Sequence, residues 1–500
     1  MRSLYDFIIV GSGASGSTLA YYLTKAGARC LLIEAGKDYK PQEYPSNELD
    51  ANTSLMWNGG MNATDDAGLL LLRGKCVGGG TVINQCLLDP FDDQAFDQWR
   101  AASNIEFFSS GAMAKHYHAV ESQLQLHHFK AAEMNGNAKL FVKGMEQEQF
   151  NWKFLRRGQS RCNIHKNNHE GSHADIHEEG NDCIVCLGGC PRESKQSMTV
   201  TFLPKALQQG LELQSEFEVK HITHGERMVT VSGVRSGVHG KGKQQTKLHF
   251  YGKRCILAGG AIGSTELMLR SGYQSLLPQL GRGFYCHPQV MNIGFFDEPV
   301  DAHKGALQSV KSADDRFRQK RFKLENVFAG PIAIALLNPQ FGMAHQQYMR
   351  RYRHMACIEV AIRDVQPGAI RLNNAGRLKI AKPLGDEDKQ SIKAGVEVIN
   401  NMLTAAGARE IMQSPVNLGL HLMGGCAIGT APGNSVVNSE FQVHGLRNLY
   451  IADSAIFPQA TGINPSLSIM ALAHRASQSL LQAAGFTSQI IATQPQEVTA

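Results

Sequence analysis

The sequence predicts an α/β fold of two domains: a Rossmann-like dinucleotide-binding domain and a second domain whose antiparallel or mixed sheet is covered by helices. Three observations carry this. The chain opens with a strand, a glycine turn, a helix and a second strand, all before residue 35. Its 500 residues exceed the roughly 250–300 that one hydrophobic core supports. From about 356 to 380 the pattern changes to apolar alternation, the signature of a sheet with two unlike faces.

The opening unit is the most informative segment. The apolar strand Phe7 to Val10 runs into Gly11-Ser12-Gly13-Ala14-Ser15-Gly16, and a helix follows from Ser17 to Lys25. A second strand, Cys30 to Ile33, ends on Glu34, 18 residues past the last glycine. Gly11 permits the tight turn, Gly13 lets backbone N–H groups approach a pyrophosphate, and Gly16 allows close packing of helix on strand. The helix N-terminus adds partial positive charge for phosphates. Glu34 is placed to accept both ribose hydroxyls, which disfavours a 2′-phosphate. A glycine motif alone is weak; strand, turn, helix, strand and acid in this order make a dinucleotide site. They do not separate FAD from NAD.

Composition narrows the class. Hydrophobic residues at 43% and charged residues at 19% are near the globular average, and 50 glycines imply many tight turns. No apolar run approaches the roughly 18–20 residues that span a bilayer, which excludes an integral membrane protein. A strand beginning at Tyr5 leaves no room for a secretion signal, so a cytoplasmic protein is expected, or one held at a membrane by a partner subunit. Eleven irregularly spaced cysteines are not a disulfide framework. The net charge of +6 is small and spread out. Two denser stretches, Arg316 to Lys323 with Phe317 and Phe322, and Arg350 to Arg353 with Tyr348 and Tyr352, are read as solvated faces, because no nucleic-acid motif accompanies them.

The remaining elements follow in order. Residues 101–181 are more helical and polar. Arg254 to Gly260 returns to the buried-strand pattern, with a glycine turn and helix behind it. Ile358, Val360 and Ile362 share one strand face and Glu359 and Arg363 the other. Asp386 to Ala406 carries Ile392, Val396, Ile399 and Leu403 at helical spacing and stops at Gly407, as a C-terminal cap would. Residues 485–500 read as a frayed tail. His165, His169, His173 and His177 recur every four residues, a metal-binding spacing on a helix, but Asn167, Asn168 and Gly171 argue against a helix. An exposed polar loop and no metal site are expected there.

Further segments bring a family into view. Arg73 to Asn84 (RGKCVGGGTVIN), Leu257 to Gly272 (LAGGAIGSTELMLRSG), His421 to Cys426 (HLMGGC), Val443 to Ser454 (VHGLRNLYIADS) and Thr461 to Pro465 (TGINP) together resemble the glucose-methanol-choline (GMC) oxidoreductases. The likeness is nearest to the cholesterol-oxidase-like and membrane alcohol and sugar dehydrogenase branches. It covers residues 5–36, 73–100, 182–290 and 350–480. Ser264-Thr265-Glu266 stands where Thr-Pro-Gln is usual, and Leu422 where proline is usual.

The resemblance implies a two-domain GMC fold, with an FAD domain from 1–100, 182–290 and 422–485, a substrate domain from 101–181 and 291–421, and a tail from 486. It implies noncovalent FAD, since no histidyl-attachment motif lies between Gly78 and Asn84. Gly78 and Gly79 would run beside the flavin, with Arg73, Thr81, Asn84 and Val219 in the cofactor set. Asp453 would lie against the ribityl or pyrophosphate, and the helix opening near Pro465 would point at the flavin's pyrimidine edge.

For chemistry, the resemblance implies oxidation of a CH–OH group of an alcohol, sugar or sterol-like substrate by hydride transfer to flavin N5. His421 would be the base and Asn464 would hold the substrate oxygen. His287 and His444 fall in matched segments and are read as structural. Alternatives in the same family are a flavin-containing lyase, or a flavin subunit passing electrons to a protein partner. Cys183, Cys186 and Cys190 are compact enough for an iron–sulfur cluster, with Cys162 or a histidine as fourth ligand. Gly189-Cys190-Pro191 with Lys195 is more similar to a metal-free loop of the cholesterol-oxidase-like members, and that reading is preferred.

Overall fold

The computed structural model describes residues 4–160, 186–238 and 243–486. Strand β1 (Leu4–Val10) and β2 (Cys30–Ile33) pair in parallel, Val10 opposite Ile33, with helix α1 (Ala14–Lys25) crossing between them. Phe7, Ile8 and Ile9 are all fully buried, because a parallel strand covered on both faces needs apolar residues in succession. Strands β3 (Phe217–His224), β4 (Val229–Val238) and β5 (Lys243–Leu257) form an antiparallel meander, and β5 then lies parallel to β1. With Glu212–Gln214 beside β2 and Leu449–Ile451 beside β5, the sheet has seven strands. Helix α2 (Gly260–Arg270) follows β5 directly, as its glycine turn predicts.

The helices Ser110–Glu121 and Ser466–Ala484 pack with α1 over this sheet. Residues 101–121, expected with the substrate domain, therefore contribute Phe107, Phe108, Met113, Tyr117 and Val120 to the first core. The reason is periodicity: Met113, Tyr117 and Val120 recur at helical spacing and make one buried face. The Tyr117 hydroxyl also meets Ser468 Oγ at 2.6 Å.

The second core surrounds an eleven-stranded sheet. Its centre is β6 (Arg282–Phe295), β7 (Phe322–Asn326), β8 (Met355–Ile362) and, after helix α3 (Asp386–Ala406), β9 (Leu418–Gly424). β8 lies antiparallel between β6 and β7, and β9 flanks β6 on its other edge. Asn62–Ala63 and Leu70–Leu71 extend the sheet beyond β9, so part of the segment assigned to the FAD domain lies in the second sheet. Helix α3 ends at Gly407, whose φ of 105° is the left-handed cap its sequence predicts.

Val360 faces α3 so closely that a Cβ on Gly395 would overlap it. Alternation along β8 is as expected, but its polar face is not solvated: Glu359 is 2% exposed. That face, with Gln289 and Met291 of β6 and Glu325 of β7, closes over an internal cavity. No helix among the described residues is long and apolar enough to cross a membrane.

Candidate active site

Three glycines of the first turn divide their work. A Cβ at Gly11, whose φ is 106°, would overlap the Ala258 carbonyl, and one at Gly16 would overlap the Gly11 carbonyl. Gly13 has open space before it, so the turn leaves a bare backbone surface for a phosphate. Glu34 is buried at the end of β2, where Oε2 accepts from Ser12 N at 3.0 Å and Ser12 Oγ at 2.8 Å, and Oε1 from Gly36 N at 2.9 Å. Burial raises its carboxyl above the usual range, against those hydrogen bonds. Ser12 Oγ also accepts from Gly78 N at 3.0 Å, which ties the second glycine loop to the first.

A single cavity of about 670 Å³ begins at Gly11, Gly13 and Glu34. It passes Arg73, Gly79, Thr81, Asn84, Val219, Asp453 and Pro465, and reaches His421 and Asn464. Gly16 and Gly78 do not line it; the first serves packing, and the second, with φ 90°, bonds to Ser12. Arg73 lies over the Trp57 ring at 5.1 Å, and burial lowers its guanidinium to about 10. Asp453 Oδ2 accepts from Gly260 N at 2.7 Å and Ser264 Oγ at 2.6 Å, and Oδ1 from Ala455 N at 2.8 Å. It thus caps the turn Ser454–Ile456 and holds the start of α2, and burial pushes its carboxyl up to about 6. Pro465 stands at the N-terminus of α4 (Ser466–Ala484), which opens into the same cavity. A buried acid at one end, uncovered glycine turns between and a helix N-terminus beyond fit an elongated dinucleotide such as FAD.

At the far end, His421 interrupts β9 with a φ of 54°, a left-handed conformation that a side chain adopts only when its surroundings enforce it. The pairing of β6 with β9 shifts register beside it, between Tyr285 and His287. Gly462 N donates to His287 Nε2 at 2.8 Å, and His287 Nδ1 lies 2.9 Å from His421 Nδ1. Burial, then neighbouring positive charge, holds His287 well below its usual value and lowers His421 to about 3, so both rings are neutral. A backbone N–H can only donate, so His287 keeps its hydrogen on Nδ1 and gives it to His421 Nδ1. His421 then carries its own hydrogen on Nε2.

The Lys323 amine donates to Asn464 Oδ1, which leaves the Asn464 amide nitrogen for the cavity. Both groups expected above the flavin are therefore hydrogen donors in this arrangement. As a base His421 needs a bare Nε2, and that tautomer would set a His287 Nε2–H against the Gly462 N–H. His287, read as structural, is the ring that hydrogen-bonds His421 from behind.

Lys323, Glu325, Glu359, Gln289 and Gln308 at this end escaped the sequence reading. Lys323 belongs to the stretch read as a solvated face, yet its side chain is 15% exposed, and Phe317 and Phe322 are buried beside it. Beyond them the cavity wall is apolar, with Val327, Phe328, Ile334, Leu337, Val416 and Leu418. Cys183, Cys162 and the four spaced histidines lie outside the described residues. Cys186 Sγ accepts from Arg157 Nη2 at 3.1 Å, and the buried Lys195 amine donates to the carbonyls of Val82, Asn84 and Cys186. The cysteine loop is thereby pinned to the chain beside the second glycine loop, and its Leu187 and Gly188 line the cavity. Among the described residues, no group of three or more His, Cys, Asp or Glu is placed to hold a metal.

The chain is 28% identical to an uncharacterised GMC-type oxidoreductase of Sinorhizobium fredii, over 95% of this chain and 94% of the relative. It is 24% identical to a long-chain-alcohol oxidase of Arabidopsis thaliana, over 95% of this chain and 67% of that protein. Pyridoxine 4-oxidase from Mesorbium loti has the same fold, with a TM-score of 0.72 at 15% identity over 95% of this chain and 98% of that one. The GMC oxidoreductase N-terminal family model matches residues 5–289 and the C-terminal one residues 366–473. With the motif segments gathered around one cavity, these matches establish that the chain belongs to the GMC oxidoreductase family.

Proposed function

We propose that this protein oxidises the CH–OH group of an apolar alcohol with noncovalently bound FAD, with His421 and Asn464 meeting the substrate oxygen. The observation that carries this reading is the single cavity, which joins the Gly11 turn and Glu34 at one end to His421 and Asn464 at the other. Bound there, FAD would supply the hydride acceptor. Glu34 would hold the adenosine ribose, the Gly13 and Gly79 turns the pyrophosphate, and the α4 N-terminus the pyrimidine edge. His421 Nε2–H and the Asn464 amide would donate to the hydroxyl oxygen and stabilise it as negative charge develops. His421 is the nearer to a proton-transfer role: it becomes a base at Nε2 only if its tautomer reverses together with that of His287.

The wall near this pair carries Val327, Phe328, Ile334, Leu337, Val416 and Leu418 beside the polar Gln289, Gln308, Glu325 and Glu359, and its apolar part favours a substrate with an apolar body, such as a long-chain, aryl or sterol alcohol. Anaerobic addition of such alcohols while flavin absorbance is followed tests the reading. Bleaching is expected; an unchanged oxidised spectrum would instead favour a lyase or a flavin-holding subunit. His421→Ala should slow the bleaching by roughly 10²–10³-fold with FAD retained, the cost of losing one donor to the developing negative oxygen.

A further inference from the structure

Resting in part on that reading, we propose that the rim of the cavity around Leu336 and Phe341 is a docking face for an anionic lipid surface, from which the apolar alcohol enters. Among the described residues eleven large hydrophobic side chains are exposed, and six of them belong to this rim: Leu49, Met61, Ile332, Leu336, Phe341 and Met343. Phe341 is 89% exposed and Met343 66%. Single exposed hydrophobic residues are ordinary, whereas a cluster marks a surface that meets something apolar.

Three short helices carry most of the rim, and hydrogen bonds join them. The carboxylate of Glu48, in helix Glu48–Leu55, accepts from Ile332 N at 2.7 Å and Ala333 N at 3.4 Å, at the start of helix Pro331–Leu336. Leu49, next in the chain, is thereby brought to the same edge as Ile332. The Tyr348 hydroxyl, in helix Gly342–Arg350, donates to Ile334 O at 3.1 Å and ties the helix that Phe341 and Met343 open to that edge. Met61 and Leu336 are exposed and also line the cavity, so the rim continues inward as the apolar wall of Ile334 and Leu337.

Charge selects the partner. From Asn326 to Ile358 the chain has three arginines, two histidines and no carboxylate. Arg351 and Arg353 are paired with Glu410 and Asp301, while Arg350, exposed at the end of its helix, is in no ion pair among the described residues. The carboxylates beside Leu49 are engaged, Glu48 with Ile332 N and Asp50 with Asn47 Nδ2 at 2.7 Å. Apolar side chains with a free arginine beside them match the boundary between acyl chains and anionic headgroups. Each CH₂ of an alkyl chain favours lipid over water by about fourfold, so a long-chain alcohol resides in membranes. A protein partner seated on this rim would close the opening; a lipid surface would feed it.

The test is flotation of the full FAD-loaded chain with vesicles of phosphatidylcholine alone, or of phosphatidylcholine mixed with phosphatidylglycerol. Wild type should float with the mixed vesicles, and Phe341→Ser with Met343→Ser should bind them at least roughly 10-fold more weakly. Neither side chain lines the cavity, so this double variant should bleach at the wild-type rate with benzyl alcohol in solution, and more slowly with 1-dodecanol carried in vesicles. Arg350→Gln should weaken binding to the mixed vesicles about fivefold and leave the weaker binding to phosphatidylcholine alone unchanged. A wild type that stays in solution with both vesicles, or a double variant that floats as wild type does, overturns the proposal. So does a wild type that floats with neither vesicle and forms a dimer that the double variant breaks, which gives the rim to a second copy of the chain. Flotation needs no turnover: a wild type that floats but bleaches with neither alcohol overturns the function alone, and one that bleaches but does not float overturns this proposal alone.

Discussion

Replacing His287 with Phe keeps a ring in the same buried space and removes both nitrogens, so it isolates the hydrogen-bond chain behind His421. Two contacts go: Gly462 N–H loses its acceptor at 2.8 Å, and His421 Nδ1 loses its donor at 2.9 Å. A buried N–H left without a partner costs about 1–3 kcal/mol of stability. The larger effect falls on rate. His421, no longer held in one orientation, should align with the substrate oxygen less often, and loss of positioning of this kind costs about 10²-fold, or close to 3 kcal/mol of barrier. His287→Gln is the informative companion, because an amide can accept from Gly462 with its oxygen and donate to His421 with its nitrogen. Stopped-flow flavin reduction with 1-dodecanol, with FAD content checked by absorbance, should rank wild type above the Gln form and the Gln form above the Phe form. A Phe variant reducing its flavin within threefold of wild type would refute the tautomer argument.

Glu34→Ala strips the acceptor from Ser12 N and Gly36 N and, on the proposed reading, from the ribose, so the protein should release FAD on dialysis, read as free flavin fluorescence. Gly16→Ala puts a methyl on the Gly11 carbonyl and should lower the melting temperature, at an overpacking cost of about 1–3 kcal/mol, whereas Gly13→Ala, with open space before it, should leave stability nearly unchanged and weaken FAD binding. Stability should fall as pH drops below about 6.5 toward 4: His116, at about 3, His474, at about 4, and His421, at about 3, stay neutral in the native state while the unfolded chain binds their protons. Asp364, raised to about 7, and Asp453, raised to about 6, oppose this, because the native state protonates them first. Melting curves across that window should show a net loss that His116→Phe with His474→Phe reduces; no reduction would exclude the pair as a source.

The cofactor half of this protein was legible in its residues because the motif is local. Gly11, Gly13, Gly16 and Glu34 lie within one βαβ unit, and their spacing alone sets turn, helix and acid in place. Helix α3 and its stop at Gly407 were legible for the same reason, since periodicity and a glycine cap act over a few residues. His421 and Asn464 were found through the resemblance of short segments, which named the residues but not their protons. Those are set by His287 and Lys323, which come from two other parts of the chain, and by Gly462, two residues before Asn464. Alternation marked Glu359 as polar-facing, but a strand's period of two says only that its faces differ, not whether water or protein covers the second. Glu325 and Glu359 are 34 positions apart in the chain and become neighbours only where β7 pairs with β8, and the helices Gly136–Gln147 and α3 cover the sheet's other face. The sequence alone therefore determined that the chain carries a dinucleotide-binding turn and, through the resemblance of short segments, its family, while the pairing of distant strands decided which side chains meet in the cavity and which hydrogens they present.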